Sequence, residues 1–123
     1  MSSYRVLIVD DHEDNITHVS DFLTFKGCDV SVAQDGEKGV EMALEEDPDV
    51  ILMDIQMPEL SGVDAIRILR EKEQTKNAKI IAVTARATEK DRKLCMDAGA
   101  DAYLSKPFKL KVLFEKMIEI INS

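Results

Sequence analysis

Asp49-Val50-Ile51-Leu52-Met53-Asp54-Ile55-Gln56-Met57-Pro58 is an apolar run that ends on a carboxylate. A continuous run of this length, bounded by polar residues and a proline, reads as a strand buried on both faces. Such strands belong to parallel sheets covered by helices. Asp54 then stands at the strand's carboxyl edge. In open α/β sheets the ligand crevice lies just outside those edges, so an aspartate there is placed for chemistry rather than for packing.

Outward from this strand, the chain alternates between strand and helix patterns. Before it, residues 4–9 form a β-rich run that passes at once into Asp10-Asp11-His12-Glu13-Asp14-Asn15. Ile16, Val19, Phe22 and Leu23 then recur at helical spacing, with Asp14 and Asn15 as N-cap candidates and Gly27 suited to the C′ position. Asp29 to Ala33 predicts a short strand, Asp35-Gly36 a turn, and residues 37–46 a helix stopped by Pro48.

After the central strand, Ser61 and Asp64 make a capping-box-like start for a helix with Val63, Ile66 and Leu69 on one face. Lys79 to Thr84 is a fourth strand, continuous in its apolar residues and ending in a hydroxyl. Thr88 and Asp91 cap a fourth helix that stays polar until Leu94 and Met96 and stops at Gly99, so little apolar area anchors it. Ala102 to Ser105 is a fifth strand leading into Lys106-Pro107. The last helix carries Leu110, Leu113, Phe114, Met117 and Ile121 in one stripe, with Val112 off it.

Five strands alternating with five helices predict a (βα)5 doubly wound, five-stranded parallel sheet, with residues 1–123 as a single domain. The flavodoxin-like strand order 2-1-3-4-5 is taken from known sheets of this size, not from the residues themselves. A formal net charge of −8 with no Lys/Arg cluster argues against nucleic acid and anionic membranes as partners. No apolar stretch is long enough to span a bilayer and the first residues lack a signal-peptide core, which predicts a cytoplasmic protein. Cys28 and Cys95 have no metal-ligand spacing and read as small apolar residues. His12 and His18 read as solvated.

Asp10 and Asp11 follow the first strand, Asp54 the third, Thr84 the fourth and Lys106 the fifth. With strands 1 and 3 adjacent, the three carboxylates converge and repel by on the order of several kcal/mol, so neutral pH demands a countercharge. Lys106 supplies one. An all-oxygen cluster with few protein ligands also suits Mg²⁺, a hard ion that usually completes its shell with water and substrate phosphate. A phosphoryl group is then the missing partner.

The ordered set Asp10-Asp11, Asp54 with Met57-Pro58 and Gly62 behind it, Thr84-Ala85 and Lys106-Pro107 resembles the receiver domain of two-component response regulators, over the whole chain from Tyr4 to about Ile121. The resemblance implies a stand-alone signalling module rather than an enzyme with turnover. Asp54 would take a phosphoryl group from a phosphohistidine on a sensor histidine kinase or histidine phosphotransfer protein. Asp11, Asp54 and the backbone carbonyl of Gln56 would ligate Mg²⁺, with Asp10 acting through water and Lys106 holding a phosphoryl oxygen. Thr84 would swing toward the phosphate and draw the loop Ala85-Arg86-Ala87 with it, and Tyr103 would turn inward. Gln56, Ala85 and Arg86 would flank the phosphoryl group, and the Lys106-Pro107 bond would be cis. The first helix would meet the phosphodonor. A downstream protein target would meet the face of helix 4, strand 5 and helix 5, with the protein a monomer and dimerisation on phosphorylation left open.

Competing readings are a phosphohydrolase with an aspartyl-phosphate intermediate, a flavodoxin-like cofactor binder and a phosphorylation-independent adaptor. The first usually needs a second aspartate two residues after the nucleophile, where Gln56 stands. The second needs a first loop that welcomes phosphate, whereas this one is acidic.

Overall fold

The computed structural model describes residues 3–57, 60–86 and 88–123. Pro58 of the Met57-Pro58 pair and Ala87 of the loop after the fourth strand lie outside them. The elements run β1 (Arg5–Val9), α1 (Glu13–Phe25), β2 (Asp29–Ala33), α2 (Gly36–Glu46), β3 (Val50–Asp54), α3 (Gly62–Glu71), β4 (Lys79–Thr84), α4 (Glu89–Ala98), β5 (Ala102–Ser105) and α5 (Leu110–Ile121). All strand pairs are parallel and the order is β2-β1-β3-β4-β5, as expected.

β3 lies at the centre, and all five of its residues are buried because helices cover both faces. Alternate side chains feed two cores. Leu7, Val9, Ile51, Met53, Ile80 and Ala82 pack with Ile66 and Leu69 of α3. Val6, Ile8, Val50, Leu52, Ile81 and Val83 pack with Leu23 of α1 and Leu113 and Met117 of α5. Because both faces are dry, the strands read as unbroken apolar runs rather than alternating ones.

Local chemistry sets several helix ends. Asp35 Oδ1 accepts from the Lys38 backbone N–H at 2.7 Å, Ser61 Oγ from Asp64 N at 3.2 Å and Thr88 Oγ1 from Asp91 N at 3.1 Å. Gly27 and Gly99 hold φ of 89° and 121° just beyond their helices, conformations that side chains rarely adopt.

Three expectations are corrected. α1 begins at Glu13 with His12 as its N-cap residue, so Asp14 and Asn15 lie inside the first turn; Asn15 Nδ2 instead donates to Asp10 Oδ2 at 3.3 Å. α4 is anchored by Cys95 and Ala98, while Leu94 is exposed and Met96 only partly covered. In α5, Ile120 rather than Ile121 completes the fully covered stripe with Leu113 and Met117. Val112 is exposed, and both cysteines are buried free thiols whose pKa values burial raises.

Candidate functional site: a carboxylate pocket at the sheet edge

β1 and β3 pair from Val6 with Val50 to Val9 with Met53, so the residues that follow, Asp10 and Asp54, emerge side by side at the carboxyl edge. Lys106 arrives from the end of β5, over a cis Lys106-Pro107 peptide of the kind the resemblance implies. Its Nζ lies 3.4 Å from Asp10 Oδ2 and 3.6 Å from Asp54 Oδ2. Asp11 is exposed on the rim, and Asp10 and Asp54 are buried. Thr84, also buried, ends β4 beside them.

Gly62 permits this closeness. A Cβ there would stand 2.3 Å from the Asp54 carbonyl oxygen and 2.8 Å from Ile55 Cα, so only glycine lets α3 approach the end of β3.

Asp54 is 2% exposed, and among the described residues its Oδ2 is a buried side-chain oxygen with no hydrogen-bond partner. Its other oxygen accepts from the Gln56 backbone N–H at 3.1 Å. Burial, followed by the nearby Asp10 charge, raises its pKa to about 6 against the opposing pull of Lys106. Asp10 goes the other way. Burial pushes upward, but hydrogen bonds from the His12 backbone and ring, the Lys106 charge and the Asn15 amide bring its pKa below the ordinary value. Two adjacent carboxylates are thereby split, one held firmly charged and one poised for proton or cation.

His12 is solvated, as the sequence reading has it, but it also belongs to the site. Its ring is largely exposed, yet Nδ1 reaches 3.0 Å from Asp10 Oδ1, 3.1 Å from Asp11 Oδ1 and 3.5 Å from Asp54 Oδ2. Hydrogen bonding to Asp10 raises its pKa. Only the turn from β1 into α1, which begins right after His12, aims the ring into the pocket, and no spacing rule announces that turn. Ligand atoms of Asp10, Asp11, His12 and Asp54 all lie within 4.8 Å of one another. An orphaned buried carboxylate oxygen facing two further carboxylates fits a hard divalent cation.

On the β4 side, Gln56 Nε2 donates to Thr84 Oγ1, and Gln56 Oε1 accepts from the Ala85 N–H at 2.9 Å. Arg86 N also donates to Thr84 Oγ1, at 3.0 Å. Tyr103, half-buried, stands apart from the carboxylates and donates its hydroxyl proton to the Arg86 carbonyl. His18 lies outside the carboxylate pocket, on an exposed stretch of α1 lining the groove toward Phe108 and Leu110.

The sheet order and a pocket at its switch point define an α/β protein of the flavodoxin-like class, with carboxylates and one lysine at the carboxyl edge. Residues 6–118 match the response regulator receiver domain family, and the chain belongs to that family. It is 36% identical over 118 residues to the transcriptional regulatory protein CpxR of Escherichia coli, a match covering 96% of this chain and 49% of CpxR. It is 36% identical over 118 residues to the polar-differentiation response regulator DivK of Brucella ovis, covering 96% and 93%. The chain thus spans about half of CpxR and nearly all of DivK. Among solved structures, the receiver domain of the sensor histidine kinase PA1611 from Pseudomonas aeruginosa, with a magnesium ion coordinated in its active-site cleft, superposes with a TM-score of 0.92 at 36% identity, covering 99% and 100% of the two chains. No helix of the described residues is long and apolar enough to cross a membrane.

Proposed function

We propose that this chain is a phosphorylation-controlled signalling module in which Asp54 accepts a phosphoryl group from a phosphohistidine on a sensor histidine kinase or histidine phosphotransfer protein. The carrying observation is the Asp54 Oδ2 atom, buried, without a hydrogen bond among the described residues and 3.6 Å from the Lys106 ammonium. A lone pair so placed is free to attack. The Oδ2–P bond forms as the P–N bond of the donor breaks, its electron pair returning to the donor imidazole. An acyl phosphate results.

Asp11, Asp54 and the Gln56 backbone carbonyl would hold Mg²⁺, with Asp10 acting through water. The ion's chemistry is to neutralise phosphoryl oxygens during the transfer. Lys106 holds one phosphoryl oxygen, while Thr84 and the Ala85 N–H offer hydrogen bonds to others, with Gln56 and Arg86 at the sides. As Thr84 moves, the β4–α4 loop follows and releases the Tyr103 hydroxyl, so that its ring turns inward. A downstream protein would read the change on the α4, β5 and α5 face, where Leu94 and Val112 are exposed.

A phosphohydrolase reading is disfavoured because Gln56 carries no acid and its amide is engaged by Thr84 and Ala85. Intact-protein mass spectrometry after incubation with acetyl phosphate tests the proposal. One Mg²⁺-dependent phosphoryl adduct is expected on the wild type and none on Asp54→Asn. No adduct on the wild type, with a histidine kinase donor equally inactive, would sink it.

A further inference from the structure

We infer that the Gln56 side chain is an internal latch, occupying in the unphosphorylated protein the Thr84 and Ala85 groups that phosphoryl oxygens would use, so that phosphorylation must displace it. This rests on Asp54 being the acceptor and adds a regulatory contact to that same site.

The orientation of the amide is fixed by its partners. Ala85 N–H is a donor, so the Gln56 atom 2.9 Å away is the oxygen, Oε1. Nε2 is then left to face Thr84 Oγ1, to which it donates. That hydroxyl oxygen also accepts from Arg86 N at 3.0 Å, so both of its lone pairs are filled. Thr84 is fully buried, out of reach of bulk solvent.

Gln56 is tied at its other end to the nucleophile. Its backbone N–H donates to Asp54 Oδ1 at 3.1 Å, while its side chain reaches across to β4. A single residue therefore joins the acceptor to the loop that must move. Oε1 sits on Ala85 N–H as a phosphoryl oxygen would, and Nε2 holds Thr84 from turning. From Arg86 the restraint continues to Tyr103, whose hydroxyl proton is held by the Arg86 carbonyl. Residue type matters here. Methionine has comparable length but neither a strong donor nor a strong acceptor, and glutamate would accept from Ala85 but could not donate to Thr84.

Two ordinary internal hydrogen bonds shift an equilibrium by about tenfold, which sets the size of the effect. The test uses beryllium trifluoride as the phosphoryl mimic, at saturating Mg²⁺, on the wild type and Gln56→Met. Its affinity is read by calorimetry. The Ala85 amide is followed by hydrogen exchange and ¹⁵N NMR in the unliganded proteins.

Gln56→Met is expected to bind the mimic about tenfold more tightly. Its unliganded Ala85 amide is expected to exchange faster than in the wild type, with a resonance displaced toward that of the liganded wild type. Equal or weaker binding by the variant would overturn the latch, as would an Ala85 amide equally protected in both proteins. The exchange comparison needs no ligand and stands on its own. Failure of the mimic to bind either protein would instead overturn the acceptor reading, and the latch with it.

Discussion

Asp54 is almost fully buried and among the described residues one of its oxygens makes no hydrogen bond, and this shapes how the isolated protein responds to pH. Its pKa is raised from 3.8 to about 6 by burial and then by Asp10. The native state therefore holds a proton that the unfolded chain has released between those values. Stability from this group is fully present below the unfolded value and is lost as pH rises through the folded one. In chelator-treated protein, Asp54→Asn is expected to match the wild type near pH 4 and to be more stable by ~1–3 kcal/mol above pH 7. Urea midpoints across that range measure the difference. Gly62→Ala is expected to cost about 1–3 kcal/mol and to lower phosphoryl uptake, because the new methyl group meets backbone at the end of β3. Asp10, Asp54, Thr84 and Lys106 were legible in the sequence because each terminates an apolar run and the runs are parallel neighbours. His12 was not, since its reach depends on the first turn of α1. The Gln56 bridge to β4 was hidden for the same kind of reason: two residues 28 apart in sequence meet only through strand register.

The strands and most helix limits could be read from apolar runs and capping residues. The start of α1 could not, because Asp10, Asp11, Asp14 and Asn15 all suit a cap and only the tertiary fold selects His12. α4 shows how an element can be held at one end. Its C-terminus is fixed by Arg70, whose Nε donates to the Gly99 carbonyl at 2.9 Å and whose Nη2 pairs with Asp101 at 2.8 Å. Along its length only Cys95 and Ala98 are buried, against four residues in the equally long α3. Weak apolar anchoring places α4 at the low-stability end of the molecule, where a loop displacement can move it. Truncation should report this contrast by element. Leu113→Ala in α5 is expected to cost ~2–5 kcal/mol, and Leu94→Ala in α4 to stay within about 0.5 kcal/mol, by chemical denaturation.

At the scale of the whole molecule, a sheet buried on both faces provides a rigid floor on which a few edge groups are free to change state. The pocket concentrates three carboxylates against one lysine, so divalent cations are expected to stabilise the fold. Mg²⁺ at about 100 times its dissociation constant should add ~2.7 kcal/mol to unfolding free energy, seen as a higher thermal midpoint that chelator reverses. A net charge of −8 makes the surface of this chain repulsive to nucleic acid at long range. The most direct measurement is borohydride reduction of the acetyl-phosphate-treated protein, followed by peptide mapping, because hydride converts an aspartyl phosphate to homoserine at the modified position. Homoserine at position 54 alone, dependent on Mg²⁺, is the expected result. Reduction at another residue, or a phosphoryl adduct that survives hydride unchanged, would contradict Asp54 as the acceptor.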